Sequence, residues 1–265
     1  MDLQLTGKRA IVTGGSRGIG RAIARTLMDE GVRVAIGARD GDAVHTAAAA
    51  LAGEGGEVHG FAVDTRDDAS VDAFVAAAAA TLGGIDIVVN AAAQPASSGP
   101  VAGITGVTSD YAMEQLDTKI LGYLRVARAA APHLVANGWG RIINISGLNA
   151  RLSTNIVGAI RNVGVAALTK TLADELGPHG INVTVVHPGM TRTERTPGMV
   201  AARAAADGTS EAEAEKALFG GSLIGRIVDA EEVADVVAFL ASPRSVAITG
   251  DAIAAGGGVR GSIHY

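Results

Sequence analysis

The stretch 13-TGGSRGIG-20 constrains the fold of this chain more than any other, because it stands between the apolar run 9-RAIV-12 and an amphipathic segment that begins at Gly18. A strand that ends in a glycine-rich turn and leads straight into a helix opens a βαβ unit, and the turn aims the first N–H groups of the helix at an anion. Gly14 permits the tight turn, Gly18 permits close approach of the backbone to a pyrophosphate, and Gly20 lets helix and strand pack; Ser16, Arg17 and Ile19 complete the turn.

The same beat repeats along the chain. Short apolar runs at 32–39, 57–64, 85–93, 141–146 and 181–189 alternate with amphipathic or Ala-rich stretches at 43–53, 69–82, 109–137 and 157–177. Apolar runs separated by helices predict parallel strands covered on both faces, which is the doubly wound, Rossmann-like α/β architecture. The 36 glycines, beside only 18% charged and 3% aromatic residues, fit many strand-to-helix turns around a core of Ala, Val, Leu and Ile. The segments 47-AAAALA-52 and 76-AAAAAT-81 read as packed helices, since Ala is the best helix former and both fall between strands. One domain over 1–265 is expected. Its one irregular region, 190–225, follows a strand at the carboxyl end of the sheet, where open α/β sheets take their ligands, and is expected to be a substrate lid loop.

A net charge of −5 without any cluster of Lys or Arg leaves out the basic footprint of a nucleic-acid binder. The absence of cysteine removes disulfides, thiolate metal ligands and cysteine nucleophiles, and no metal site is expected. The N-terminus is charged within two residues and enters a strand at once, and no apolar run reaches the roughly 18 residues of a membrane span. A soluble, cytoplasmic protein acting on a small molecule is expected, without nucleic acid or membrane as partner.

TGGSRGIG, FAVDTRD, DIVVNAAA, GRIINIS, ALTKTLADELGPHGINVTVVHPGMTRT and the tail from GRIVDAEEVADVVAFLAS onward together resemble the short-chain dehydrogenases/reductases over essentially the whole chain. The resemblance implies a nicotinamide dinucleotide held by the glycine turn. It also implies that Asp64, helped by Val63 or Thr65, meets the adenine, and that Asn90 with Ala91 and Ala92 runs past the riboses. Pro188, Gly189, Thr191 and Thr193 then hold the nicotinamide end. An NAD-preferring site carries a carboxylate at the end of the second strand; here Ala38 stands there, followed by Arg39, with Arg17 on the same side, so two guanidiniums can clasp a 2′-phosphate and NADP is the expected cofactor. Asp40 argues in the other direction.

Members of the family work with Asn, Ser, Tyr and Lys. In this register Lys119 replaces the Asn, Gly147 the Ser, Gly158 the Tyr and Asn162 the Lys, while Ser146 matches the preceding, usually structural serine; a shift by two brings up Ile160 and Gly164, equally inert. Lys119, Ser146 and Asn162 are the candidate catalytic residues, with Lys119 as an ion-pair partner or proton donor. Asn149, Arg151, Ser153, Asn155, Arg161 and His187 are further polar candidates. Tyr123 is expected in subunit packing, and no tyrosine is expected at the acid–base position; a hydroxyl of Tyr111 or of a neighbouring subunit's Tyr265 standing there beside a lysine would overturn that expectation. Two readings stand: an NADP-dependent oxidoreductase without the usual Tyr–Lys pair, or a non-redox protein, either a nucleotide-sensing or assembly subunit or a lyase-type enzyme. The Ala- and Gly-rich helices predict a homodimer or homotetramer.

Overall fold

A computed structural model describes residues 1–94, 103–153 and 155–259. The first half runs β1 (Arg9–Thr13), α1 (Gly18–Asp29), β2 (Arg33–Ala38), α2 (Gly41–Ala52), β3 (Val58–Ala62), α3 (Asp68–Leu82) and β4 (Ile87–Asn90). Then follow α4 (Ser109–Leu116), α5 (Gly122–Asn137), β5 (Gly140–Ile145), α6 (Ile156–Leu176), β6 (Ile181–Pro188), β7 (Thr191–Arg192), α7 (Thr196–Asp207), α8 (Glu211–Phe219), β8 (Val228–Asp229), α9 (Ala230–Ala241) and β9 (Ala252–Ala255). Seven strands form one parallel sheet in the order β3-β2-β1-β4-β5-β6-β9. The order reverses between β1 and β4, so the crevice at their carboxyl ends is the place for a ligand.

Alternation along each strand feeds two cores. Ala10 and Val12, Ile87 and Val89, and Ile143 and Ile145 face α1, α2 and α9 through Ile23, Leu27, Val44, Leu51, Val233 and Val237. Ile11, Val88 and Ile142 face the other way, onto α3, α5 and α6 through Phe74, Val75, Val126, Leu134, Leu172 and Leu176. The Ala-rich segments are packed helices, with Ala47, Ala48, Ala78 and Ala79 buried.

Three features differ from the sequence reading. The expected helix over 109–137 is α4 and α5 joined through a π-helical turn, Asp117–Leu121. The region 190–225 is largely helical rather than a loop: α7 and α8 close a small core of their own with Val200, Ala204, Ala214, Phe219 and Ile227, and Ser210 and Glu213 form a capping box at the start of α8. The segment Ile156–His179 is, by length and composition, long and apolar enough to cross a membrane, because Ala and Gly dilute its few charges. In the fold it is α6 and the turn after it, and its inward stripe carries Arg161 and Asn162 beside Val165, Leu172 and Leu176.

Candidate active site

The crevice at the β1–β4 reversal is a cleft of about 620 Å³ that runs from the glycine turn to Lys119 and Ser146. Its near wall is built from backbone. A Cβ on Gly14 would lie 2.7 Å from Ala91 O, and one on Gly20 would enter the Gly14 carbonyl, so both glycines are required by the close approach of β1, β4 and α1. Gly18 has φ +55°, and a Cβ there would meet only the Thr193 side chain, at 3.6 Å. The N–H of Gly18 donates to the Glu194 carboxylate at 3.1 Å, so a carboxylate of the chain itself stands at the anion-seeking end of α1. These are the features of a dinucleotide cradle.

Ser16, Arg17, Ile19, Arg39, Thr65, Ala91, Ala92 and Thr193 line the same cleft as the glycines. Asp40 lines it too, but its carboxylate caps α2 by accepting from Ala43 N at 3.0 Å, beside the exposed Arg39. Other expected residues are turned elsewhere. Asp64 gives its carboxylate to Arg66, at 2.9 Å and 3.2 Å, and that hydrogen-bonded partner holds its pKa below the usual carboxylate range; its neighbours Val63 and Thr65, not Asp64, reach the cleft. The Asn90 side chain points into the core and donates to Asn144 Oδ1 at 2.9 Å, and Asn144 in turn donates to Thr169 Oγ1. Pro188, Gly189 and Thr191 do not line the cleft: Gly189 packs on Gly256, and Thr191 Oγ1 donates to Gly189 O.

At the far end three chain segments converge. The π-turn carries Lys119, the end of β5 leads into Ser146, and α6 supplies Asn162. Lys119 Nζ donates to Ser146 O and to Asn162 Oδ1, both at 2.9 Å, and Ser146 Oγ donates to Asn162 O at 3.1 Å. Lys119 is 3% exposed; burial, and secondarily the Arg161 guanidinium, holds its pKa well below the usual lysine range. A Cβ on Gly147 would lie 3.1 Å from Asn162 Nδ2. In the alternative register Ile160 is exposed and Gly164 packs on Ile120, whereas Asn162 meets Lys119 and Gly158 packs on the Asn155 side chain.

The other candidates separate clearly. Tyr123 is not a subunit contact: it is 1% exposed, its hydroxyl donates to Ile145 O at 2.8 Å, and burial raises its pKa. His187 is buried with Nδ1 unpartnered, and burial, then Arg151 and Lys119, lowers its pKa to about 4. Arg161 is buried and donates to Gln94 O and Gln115 Oε1. Arg151 donates to Ala252 O, and Asn155 caps α6 at Gly158 N. Asn149 and Ser153 lie outside the cleft lining; Tyr265 lies outside the described residues. Gln94, Thr118, Glu194 and Arg195 line the cleft without having been expected there. Their one sequence signal is proximity to motifs that do contribute.

Comparison with known proteins agrees with this geometry. A family model described as enoyl-(acyl carrier protein) reductase matches residues 14–260. The chain is 37% identical to a putative ketoacyl reductase of the monensin polyketide synthase from Streptomyces virginiae, over 97% of this chain and 98% of that one. It is 30% identical to the 3-oxoacyl-[acyl-carrier-protein] reductase FabG of Vibrio cholerae, over 97% and 99%. The crystal structure of L-sorbose reductase from Gluconobacter frateurii, complexed with NADPH and L-sorbose, superposes with a TM-score of 0.92 at 28% identity, covering 99% of this chain and 100% of that one.

Proposed function

Since the chain belongs to the short-chain dehydrogenase/reductase family of oxidoreductases, we propose that it is an NADP(H)-dependent enzyme that interconverts a small carbonyl compound and its alcohol without the family's Tyr–Lys pair. The observation that carries this reading is the placement of Lys119. Two acceptors, Ser146 O and Asn162 Oδ1, use two of its hydrogen-bonding positions. One position remains: an N–H in the ammonium, a lone pair in the amine. Lys119 lines the cleft, and with that position turned to a ligand it gives a proton to an alkoxide in one direction and takes one from an alcohol in the other. Burial and Arg161 bring it towards the working range for such a transfer.

When bound, the cofactor supplies or accepts the hydride. The chain's own part is to hold it: backbone N–H groups of the glycine turn meet the pyrophosphate, and Arg17 and Arg39 meet a 2′-phosphate. Asp40 lines the cleft beside them, with its carboxylate held at the N-terminus of α2 by the Ala43 N–H. Calorimetric titration is expected to show NADPH binding more tightly than NADH; failure of both to bind at millimolar concentration sinks the proposal. NADPH consumption, followed by absorbance over a panel of ketones, quinones and alcohols, tests the reaction itself.

A second reading, a non-redox protein on the same fold, is favoured by Gly158 and Asn162 at the positions of the usual acid–base pair. Turnover that tracks NADPH consumption rejects it. A homodimer or homotetramer is also proposed, since Leu121, Leu124, Ile160 and Val163 leave an exposed apolar surface on α6 and on the chain around the start of α5. A monomer by light scattering at micromolar concentration contradicts that.

A further inference from the structure

Arg161 and Lys119 are two buried cationic groups within electrostatic reach of each other; Lys119 lines the cleft, Arg161 donates to the backbone oxygen of the cleft-lining Gln94, and the hydrogen-bond partners of both are neutral. No carboxylate among the described residues acts on either group or on His187; the titratable groups around them are the phenols Tyr123 and Tyr111, which act on Arg161, Arg151 from the segment before α6, which acts on His187, and the two cations themselves. Residues 95–102, which lead on from Gln94, contain no Asp or Glu. Burying a guanidinium without a counter-charge is unfavourable.

The same place has an excess of donors. Arg161 Nε, Gln115 Nε2 and Thr118 Oγ1 are buried without a hydrogen-bond partner. Gln115 already holds Arg161 through its Oε1, Thr118 follows one turn later, and Thr118 lines the cleft. The other buried arginine makes a useful contrast. Arg141 also lacks a carboxylate, but it donates to Ser242 O, Gly140 O and Asn182 Oδ1, lies 4.6 Å from the Trp139 ring centre, and has no fully buried side-chain nitrogen without a partner. Arg141 is a satisfied structural residue. Arg161 is not.

We infer that Arg161, Gln115 and Thr118 form the binding site for a carboxylate on the substrate, which makes the substrate class a small oxo acid and its hydroxy acid. The words oxo and hydroxy rest on the oxidoreductase reading; the carboxylate rests on this cluster alone. One permanent charge in a planar fork suits a monoanion with two oxygens better than a phosphate dianion. A carboxylate there also offsets the repulsion between Arg161 and Lys119, so its binding favours the protonated form of Lys119.

The test uses the full chain and a non-reactive pair of probes, oxamate and its uncharged analogue oxamide. Calorimetry is expected to show oxamate binding, with proton uptake in buffers of different ionisation enthalpy, and no binding of oxamide. Arg161→Gln is expected to weaken oxamate by roughly thirtyfold or more, and Arg161→Lys to retain part of the affinity. NADPH binding unchanged in the variants shows that they fold; if Arg161→Gln does not fold, Gln115→Leu replaces it. Equal binding of oxamate and oxamide, or oxamate binding indifferent to both substitutions, overturns the site. In the kinetic arm, a 2-oxo acid is expected to exceed its methyl ester in kcat/KM, with the difference lost in Arg161→Gln. Oxamate binding as expected with no carbonyl compound reduced would leave the anion site standing and remove the reductase reading; esters reduced as well as acids, without oxamate binding, would do the reverse.

Discussion

Lys119 Nζ lies 2.9 Å from Asn162 Oδ1, and this pair is the reciprocal of the arrangement implied by the family resemblance, in which the amide stands at 119 and the lysine at 162. Here the cation stands on the π-turn and the amide on α6. The site keeps one lysine and one amide.

The exchange predicts a double-mutant cycle. Asn162→Lys alone places two ammonium groups against each other and destabilises the fold; Lys119→Asn alone leaves Ser146 O and Asn162 Oδ1 to a shorter neutral side chain. Both together are expected to recover stability, with a coupling of about 0.5–3 kcal/mol by urea unfolding. Additive effects would show that the two positions act independently.

Lys119→Met is expected to lower kcat by roughly 10²–10⁴ while leaving NADPH affinity nearly unchanged. Carbonyl reduction needs the ammonium, so the rate should fall as pH rises through a value below the usual lysine range; burial and Arg161 from α6 push it down, and Arg151 and His187 add no negative charge. Asn162→Asp puts a carboxylate beside the amine and should carry that limb to higher pH. A limb that stays fixed in Asn162→Asp removes Lys119 from the acid–base role.

Gly158→Tyr does not simply restore a phenol. A Cβ there would stand 2.5 Å from Asn155 Oδ1, which caps α6 by accepting from Gly158 N at 2.6 Å. Loss of such a cap is worth about 1 kcal/mol, a fall in Tm of roughly 2–4 °C for a chain of this size. Together with Asn162→Lys it should alter the pH profile of any reductase activity, and scanning calorimetry reads the stability change.

Glu194 faces the helix end that a pyrophosphate would take. Glu194→Gln removes the like charge and is expected to tighten NADPH by roughly two- to fivefold, most clearly at low salt. Weaker binding in the variant would mean that the carboxylate supports the cofactor site.

His187 gives a pH dependence of stability. Its folded value of about 4 lies below its ordinary 6.5, so between these values the unfolded chain binds the proton and the folded chain does not. Stability is therefore full above pH 6.5, declines as pH falls, and loses on the order of 3 kcal/mol once pH is below about 4. Urea midpoints across this window should flatten in His187→Gln.

The architecture was legible because the central strands β1, β4 and β5 carry apolar residues on both faces and most turns are marked by glycine; Ile11 against Ala10 and Val12 shows how little more was needed to build two cores. The glycine turn, Arg17 and Arg39 were legible for the same local reason. Asp64 was harder: its own neighbour Arg66, two residues on, takes the carboxylate, and motif position does not report such a competition. Gln115, Thr118 and Glu194 meet the site only through packing of α4, the π-turn and the segment after β7, contacts that no spacing in the sequence announces. The region 190–225 was expected as a loop because its apolar residues serve a separate small core rather than the sheet.

The turn Asp117–Leu121 that carries Lys119 has one residue more than an α-helix would place there. Such a surplus is relieved by deletion, not by substitution: removing one residue between 117 and 121 would let α4 run into α5 as one regular helix, because four α-helical residues turn the chain nearly as far as five in the wider turn. The flanks and the Tyr123 anchor would keep their facing, and the Thr118–Lys119 pair would leave its place. A change of one codon's length would therefore separate the chemistry of this helix from its attachment to the sheet, a division that no exchange of side chains at fixed length can make.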